Sequence, residues 1–80
     1  MFDFKDKVVV ITGGARGIGK CIAEAFSAAG AHTCVIDLLD NEFFVGDLAD
    51  RETLENFAKK VVSTYGRVDY LINNAIPKTV

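Results

Sequence analysis

The stretch Thr12-Gly13-Gly14-Ala15-Arg16-Gly17-Ile18-Gly19 constrains the fold of this 80-residue chain more than any other. It follows an unbroken apolar run, Val8-Val9-Val10-Ile11, and opens a segment with helical periodicity. A strand, a glycine-rich turn and a helix, in that order, form the phosphate-binding entry to a βαβ unit. One glycine allows the tight turn, one lets the backbone approach a pyrophosphate, and one lets the helix pack closely on the strand. The free N–H groups of the helix's first turn then face the anion, with the helix dipole behind them. The bland alternative is a glycine-rich turn that holds nothing. The strand before it and the helix after it weigh against that reading.

The remaining elements follow from spacing. Lys7–Ile11 is continuous and β-branched, as expected of a strand buried on both faces. The first helix is predicted from Gly17 to Ala29, with Ile18, Ile22, Ala25, Phe26 and Ala29 on one apolar face and Gly30 as a left-handed stop. His32–Asp37 is the second strand, with Cys34 and Ile36 on one face and Val35 on the other. His32 has no acid or second histidine in the sequence pattern that would make it a ligand. Glu42–Val45 is a short third strand. Only Leu38, Leu39, Asp40 and Asn41 precede it, where a parallel crossover normally takes a dozen residues or more, so the helix expected there reduces to a turn. A second helix runs from Arg51 to Tyr65, with Asp50 as its N-cap, Glu52 in its first turn and Gly66 closing it. Leu54, Phe57, Ala58, Val61, Val62 and Tyr65 form its apolar stripe. Val68–Asn73 is the fourth strand.

Alternation of strands and helices specifies an α/β fold: a Rossmann-like, doubly wound, mostly parallel sheet, incomplete, with about four strands and two main helices. Residues 1–80 read as one domain. Asp37 lies 18 positions after Gly19, where a carboxylate accepts hydrogen bonds from adenosine ribose hydroxyls and repels a 2′-phosphate. The simpler reading of Asp37 is a strand-end residue that starts a turn. A net charge of −2 offers no basic face, so no nucleic-acid partner is implied. The apolar runs are strand-sized, so no membrane span is expected, and the N-terminus lacks a secretory apolar core. Cys21 and Cys34 have no metal-ligand spacing; both are expected reduced, partly buried and inert in a cytoplasmic protein.

The loop Thr12–Gly19, the strand-end Asp37, the step Gly46-Asp47-Leu48 and the triplet Asn73-Asn74-Ala75 together resemble the N-terminal half of the short-chain dehydrogenase/reductase family. The family pattern is TGxxxGxG … D … D-[VL] … NNA, and the resemblance covers nearly the whole chain. It implies that Gly13, Arg16, Gly17, Ile18 and Gly19 line the pyrophosphate and adenosine ribose of a nicotinamide dinucleotide. It implies further that Asp37 holds the ribose hydroxyls, that Asp47 and Leu48 meet the adenine edge, and that Asn74 and Ala75 lie beside the ribose and fix the strand against the glycine loop. Asp47 also suits plain turn chemistry before a helix. Asn73 suits a structural role.

The cofactor expected is NAD rather than NADP. A carboxylate at Asp37 beside a 2′-phosphate is a like-charge contact, and no Arg or Lys stands at Leu38 or Leu39. Arg16 pulls the other way, because a basic residue in this loop sometimes accompanies the phosphorylated cofactor in the family. The function implied is hydride transfer between a nicotinamide cofactor and a small-molecule alcohol or carbonyl substrate.

Two departures stand out. Ile76 occupies a position where the family usually has glycine. The family's serine, and its tyrosine followed four positions later by lysine, have no counterpart: Asp69 follows Tyr65 and Asn74 follows Tyr70 at that distance, while Ser27 and Ser63 lie in the helices. These residues therefore carry cofactor binding and no catalytic group. A non-catalytic dinucleotide-binding module is the rival reading, and a remnant that binds nothing is a third. In a sheet of order 3-2-1-4 the apolar Tyr70-Leu71-Ile72 strand is an uncovered edge, so a homo-oligomer or a poorly soluble chain is expected.

Overall fold

A computed structural model describes residues 3–75. The elements run β1 (Val8–Thr12), α1 (Gly17–Ala28), β2 (His32–Asp37), β3 (Phe44–Val45), α2 (Arg51–Tyr65) and β4 (Tyr70–Asn73). The four strands form one sheet in the order β3-β2-β1-β4, and every pairing is parallel. The two helices cover opposite faces. Val8, Val10, Cys34 and Ile36 pack against Phe57 and Val61 of α2. Val9, Ile11 and Val35 pack with Ala23 of α1 and Ala31, flanked by Ile22, Phe26 and Ile72. The β1 run is buried along both faces because each alternate side chain meets a different helix. This is an incomplete Rossmann-like α/β fold.

The helix ends obey their sequence signals. Asp50 accepts a hydrogen bond from Glu52 N–H and another from the Thr53 hydroxyl, closing the N-terminus of α2. Gly66 (φ 74°) and Gly30 (φ 96°) take left-handed conformations after α2 and α1.

Several expectations need correction. On α1, Ile18 is 75% exposed and Ala25 is also exposed, while Gly19 and Ala23 are buried. The helix turns its smallest residues to the sheet because these allow the closest backbone approach, and the larger apolar side chains flank the contact. On α2 the stripe splits: Phe57 and Val61 are buried, but Leu54, Ala58 and Val62 are exposed, Val62 at 60%. Leu71 of β4, by contrast, is 66% exposed as expected for a strand at the sheet edge. Cys21 is exposed rather than partly buried, whereas Cys34 is buried and its thiol is pushed up to about 11 by burial, against a smaller opposing effect of Lys60.

Strand limits also shift. β1 runs one residue further, to Thr12, and starts after Lys7; α1 stops at Ala28. β4 begins at Tyr70 because the Asp69 carboxylate, not a backbone carbonyl, accepts the Val8 N–H at 2.8 Å. Asp69 also meets Arg67, Nη2 to Oδ1 at 2.6 Å, and that guanidinium leads the forces holding its carboxyl below the usual range. β3 is only Phe44–Val45, because the Asn41 side chain accepts the N–H groups of both Phe43 and Phe44 and bends the chain ahead of it. The β2–β3 connection carries no helix: bends and irregular backbone alone bring β3 beside β2. His32 is exposed and stacks on the Tyr65 ring, centroids 4.8 Å apart. Ile76 lies outside the described residues.

Candidate functional site

Parallel strands deliver their C-terminal ends to one rim of the sheet, and register fixes which residues meet there. Thr12 pairs with Ile36 on one side and with Asn73 on the other, while Asp37 pairs with Val45. The chain therefore leaves β1 into the glycine loop with the β2 and β4 ends beside it, which is where ligands of open α/β sheets bind.

The loop is shaped by backbone geometry. Gly13 (φ 71°) and Gly17 (φ 59°) are left-handed, a conformation costly to any residue with a Cβ. A Cβ on Gly13 would stand 3.0 Å from the Ala75 Cα, so the β4 end closes directly on the loop. Gly19 is tighter still. A Cβ there would lie 3.0 Å from the Gly13 carbonyl carbon, and closer to that carbonyl's oxygen and to the Asn74 amide nitrogen. At Gly17 a Cβ would meet nothing within 4 Å, so this turn of backbone faces open space.

The α1 N-terminus is uncapped. No side chain caps it and its first turn contains no acid, whereas α2 has both Asp50 and Glu52. Lys20 N–H to Arg16 O, at 3.2 Å, is the first bond of the helix, which leaves the Gly17, Ile18 and Gly19 N–H groups as orphan donors. Such a terminus is a ready anion site. The Arg16 and Ile18 side chains are exposed beside it.

Asp37 borders the loop. Its Oδ2 accepts from Ala15 N–H and its Oδ1 from Leu39 N–H, both at 3.0 Å. The Asp37 backbone oxygen accepts from Gly46 N–H at 2.9 Å, which draws the Gly46-Asp47-Leu48 step to the same rim. Asp47 is exposed and its carboxylate accepts from Ala49 N–H at 2.9 Å, the turn chemistry expected before a helix. The Leu48 side chain packs on the α2-side core.

Thr12, whose site role the sequence reading missed, joins the two strand ends. Its hydroxyl donates to Asn73 Oδ1 at 2.9 Å and accepts from Asn74 N–H at 3.0 Å and Ala75 N–H at 3.1 Å. Asn74 Nδ2 then donates to Gly13 O at 3.0 Å. The structure thus brings Gly13, Gly19, Asp37, Asn74 and Ala75 together around the loop, with Arg16, Gly17 and Ile18 at the α1 terminus and Asp47–Leu48 one step away. Ala15 was also missed, since only its backbone takes part. A dinucleotide suits this set: glycines hold a cradle that Cβ atoms would fill, orphan N–H donors suit a pyrophosphate, and a carboxylate suits a ribose diol.

The model of the short chain dehydrogenase family matches residues 7–78. The chain is similar to mouse (Mus musculus) 15-hydroxyprostaglandin dehydrogenase [NAD(+)], 39% identical over 87 residues, covering 86% of this chain and 32% of the relative. It is similar to the NAD-dependent glycerol dehydrogenase of Listeria innocua, 32% identical over 87 residues, with 92% and 34% covered. Among solved structures it superposes on the ligand-free aldohexose dehydrogenase of Thermoplasma acidophilum with a TM-score of 0.82 at 28% identity, covering 90% of this chain and 30% of that one. The chain spans about a third of the length of the curated relatives it matches. Among the described residues no helix is long and apolar enough to cross a membrane.

Proposed function

The chain belongs to the short chain dehydrogenase family, and we propose that it forms the cofactor-binding half of an NAD-dependent oxidoreductase acting between alcohol and carbonyl groups. The observation that carries this reading is the uncapped α1 terminus behind the Gly13–Gly19 turn, with the Asp37 carboxylate alongside. Gly17, Ile18 and Gly19 N–H groups would hold the pyrophosphate, and the Gly17 backbone leaves room for its close approach. Asp37 would exchange one of its backbone partners for the ribose hydroxyls. Asp47 and Leu48 would border the adenine. The Thr12–Asn74 clip keeps the Gly13 carbonyl turned away from the phosphates, toward β4. When bound, the nicotinamide supplies the hydride donor or acceptor. The proton-transfer groups are not among these residues, since neither described tyrosine has a lysine four positions on.

The choice of NAD rests on charge. Asp37 stands where a 2′-phosphate would come, and the neighbours Leu38 and Leu39 bring no positive charge. The names of the mouse and Listeria relatives point the same way. Titration with NADH and NADPH, followed by reduced-nicotinamide fluorescence, tests this. NADH binds more tightly in the native protein, and Asp37→Ala removes the preference. Tighter binding of NADPH, or a preference untouched by Asp37→Ala, refutes it.

A further inference from the structure

The parallel connection from β2 to β3 is closed by one side chain. Asn41 Oδ1 accepts from Phe43 N–H at 2.9 Å and from Phe44 N–H at 2.8 Å. Its Nδ2 donates to Leu39 O and to Phe44 O, both at 2.9 Å. An asparagine amide has two donors and an acceptor oxygen with two lone pairs, so each of its hydrogen-bonding positions is used. Lys60 reaches across from α2, donating to Phe43 O with its ammonium 4.4 Å from the Phe43 ring centre, and so pins the far side of the same turn.

These bonds reach the cofactor site by two short routes. Asp37 Oδ1 is held by Leu39 N–H, and the carbonyl of that same Leu39 is held by Asn41. On the other side Asn41 clamps both the N–H and the C=O of Phe44, the first residue of β3. Two residues later Gly46 N–H binds Asp37 O and leads into Asp47. A crossover helix would normally set the distance between these two strand ends, and this chain has none. Leu38 and Leu39 are exposed, so packing holds this connection only at its far end, where Phe43 and Phe44 meet Phe57.

We infer that Asn41 is the positioning residue of the ribose-binding carboxylate, fixing Asp37 relative to the Gly46–Leu48 step and thereby setting the preference between NAD and NADP. This rests on the cofactor reading above. All four Asn41 side-chain bonds go to Leu39, Phe43 and Phe44, so it acts through Leu39 and β3.

The test is the ratio of NADPH to NADH dissociation constants, measured well below the melting temperature. In Asn41→Ala the carboxylate loses its aim, NADH affinity falls about tenfold, the equivalent of one hydrogen bond to a charged group, and NADPH affinity changes less. The ratio therefore narrows. A residue that only stabilises the fold would lower the melting temperature and leave the ratio unchanged. Asn41→Asp guards against misfolding: it still accepts from Phe43 and Phe44 but cannot donate to Leu39 O. Its added negative charge disfavours NADPH more than NADH, so a narrowed ratio in this variant comes from the lost link and not from charge. An unchanged or widened ratio in Asn41→Asp, or an unchanged one in a folded Asn41→Ala, overturns the inference while the cofactor reading stands. No NADH binding by the native protein overturns both.

Discussion

Two glycines only two residues apart should fail in opposite ways. At Gly19 an added Cβ would stand 3.0 Å from the Gly13 carbonyl carbon, nearer still to its oxygen, and against the Asn74 amide nitrogen. The Asn74 amide can swing aside, but the Gly13 carbonyl is backbone, so the loop must move. Overpacking of that kind costs about 2 kcal/mol, and loss of the Asn74–Gly13 hydrogen bond adds about 1 kcal/mol. Gly19→Ala should therefore lose about 3 kcal/mol, or roughly 15 °C in a domain of this size. At Gly17 the new Cβ meets no protein atom within 4 Å, and the cost is the left-handed backbone alone (φ 59°), about 1 kcal/mol. In the proposed cofactor reading, that open space is where a pyrophosphate would approach the α1 terminus. Gly17→Ala should weaken NADH binding by tenfold or more, about 1.4 kcal/mol, beyond its small stability loss. Urea melts of both variants, with NADH titrations on the folded protein, give the four numbers needed. Equal stability losses would refute the packing account, and native NADH affinity in Gly17→Ala would refute the account of the site.

Thr12→Val preserves shape but removes the hydroxyl that receives Asn74 and Ala75 N–H. It should destabilise the protein by about 2 kcal/mol and weaken NADH, while Thr12→Ser should restore both in the same melts and titrations. Asp69 provides a pH test. Its hydrogen bond to Arg67, then that to Val8 N–H, lowers its folded-state pKa below the ordinary 3.8, so its stabilisation is complete above that ordinary value and is lost as pH falls through the lowered one. Urea midpoints taken downward from about pH 5 should therefore converge for the native protein and Asp69→Asn, and a constant gap between them would exclude this linkage.

The strand–turn–helix entry was legible because its causes are local. Glycine at Gly13 and Gly17 answers a left-handed backbone, and Asp50 and Gly66 answer the orphan groups of helix ends, all within a few residues of sequence. Alternation likewise placed Cys34 and Ile36 opposite Val35, since a strand's period is fixed by its pleat. The α1 face was misread for an equally physical reason. Periodicity identifies which residues share a side, but not that Gly19 and Ala23 permit the closest approach and leave Ile18 outside. The even stripe on α2 gave no sign that only Phe57 and Val61 would be fully covered, with Tyr65 packed at their edge.

For the site, sequence alone determined the kinds of group present: glycines for close backbone approach, a carboxylate at the end of β2, and amides after β4. Their meeting depends on parallel register, which sets Thr12 opposite both Ile36 and Asn73 across some sixty residues of chain. Only the tertiary structure decided that a threonine hydroxyl would join β1 to β4, and that Asn41 would stand in for a crossover helix. Hydrogen bonds of this kind have no period and no characteristic spacing. They exist because folding brings buried or half-buried backbone groups beside one another, and each such group must then find a partner.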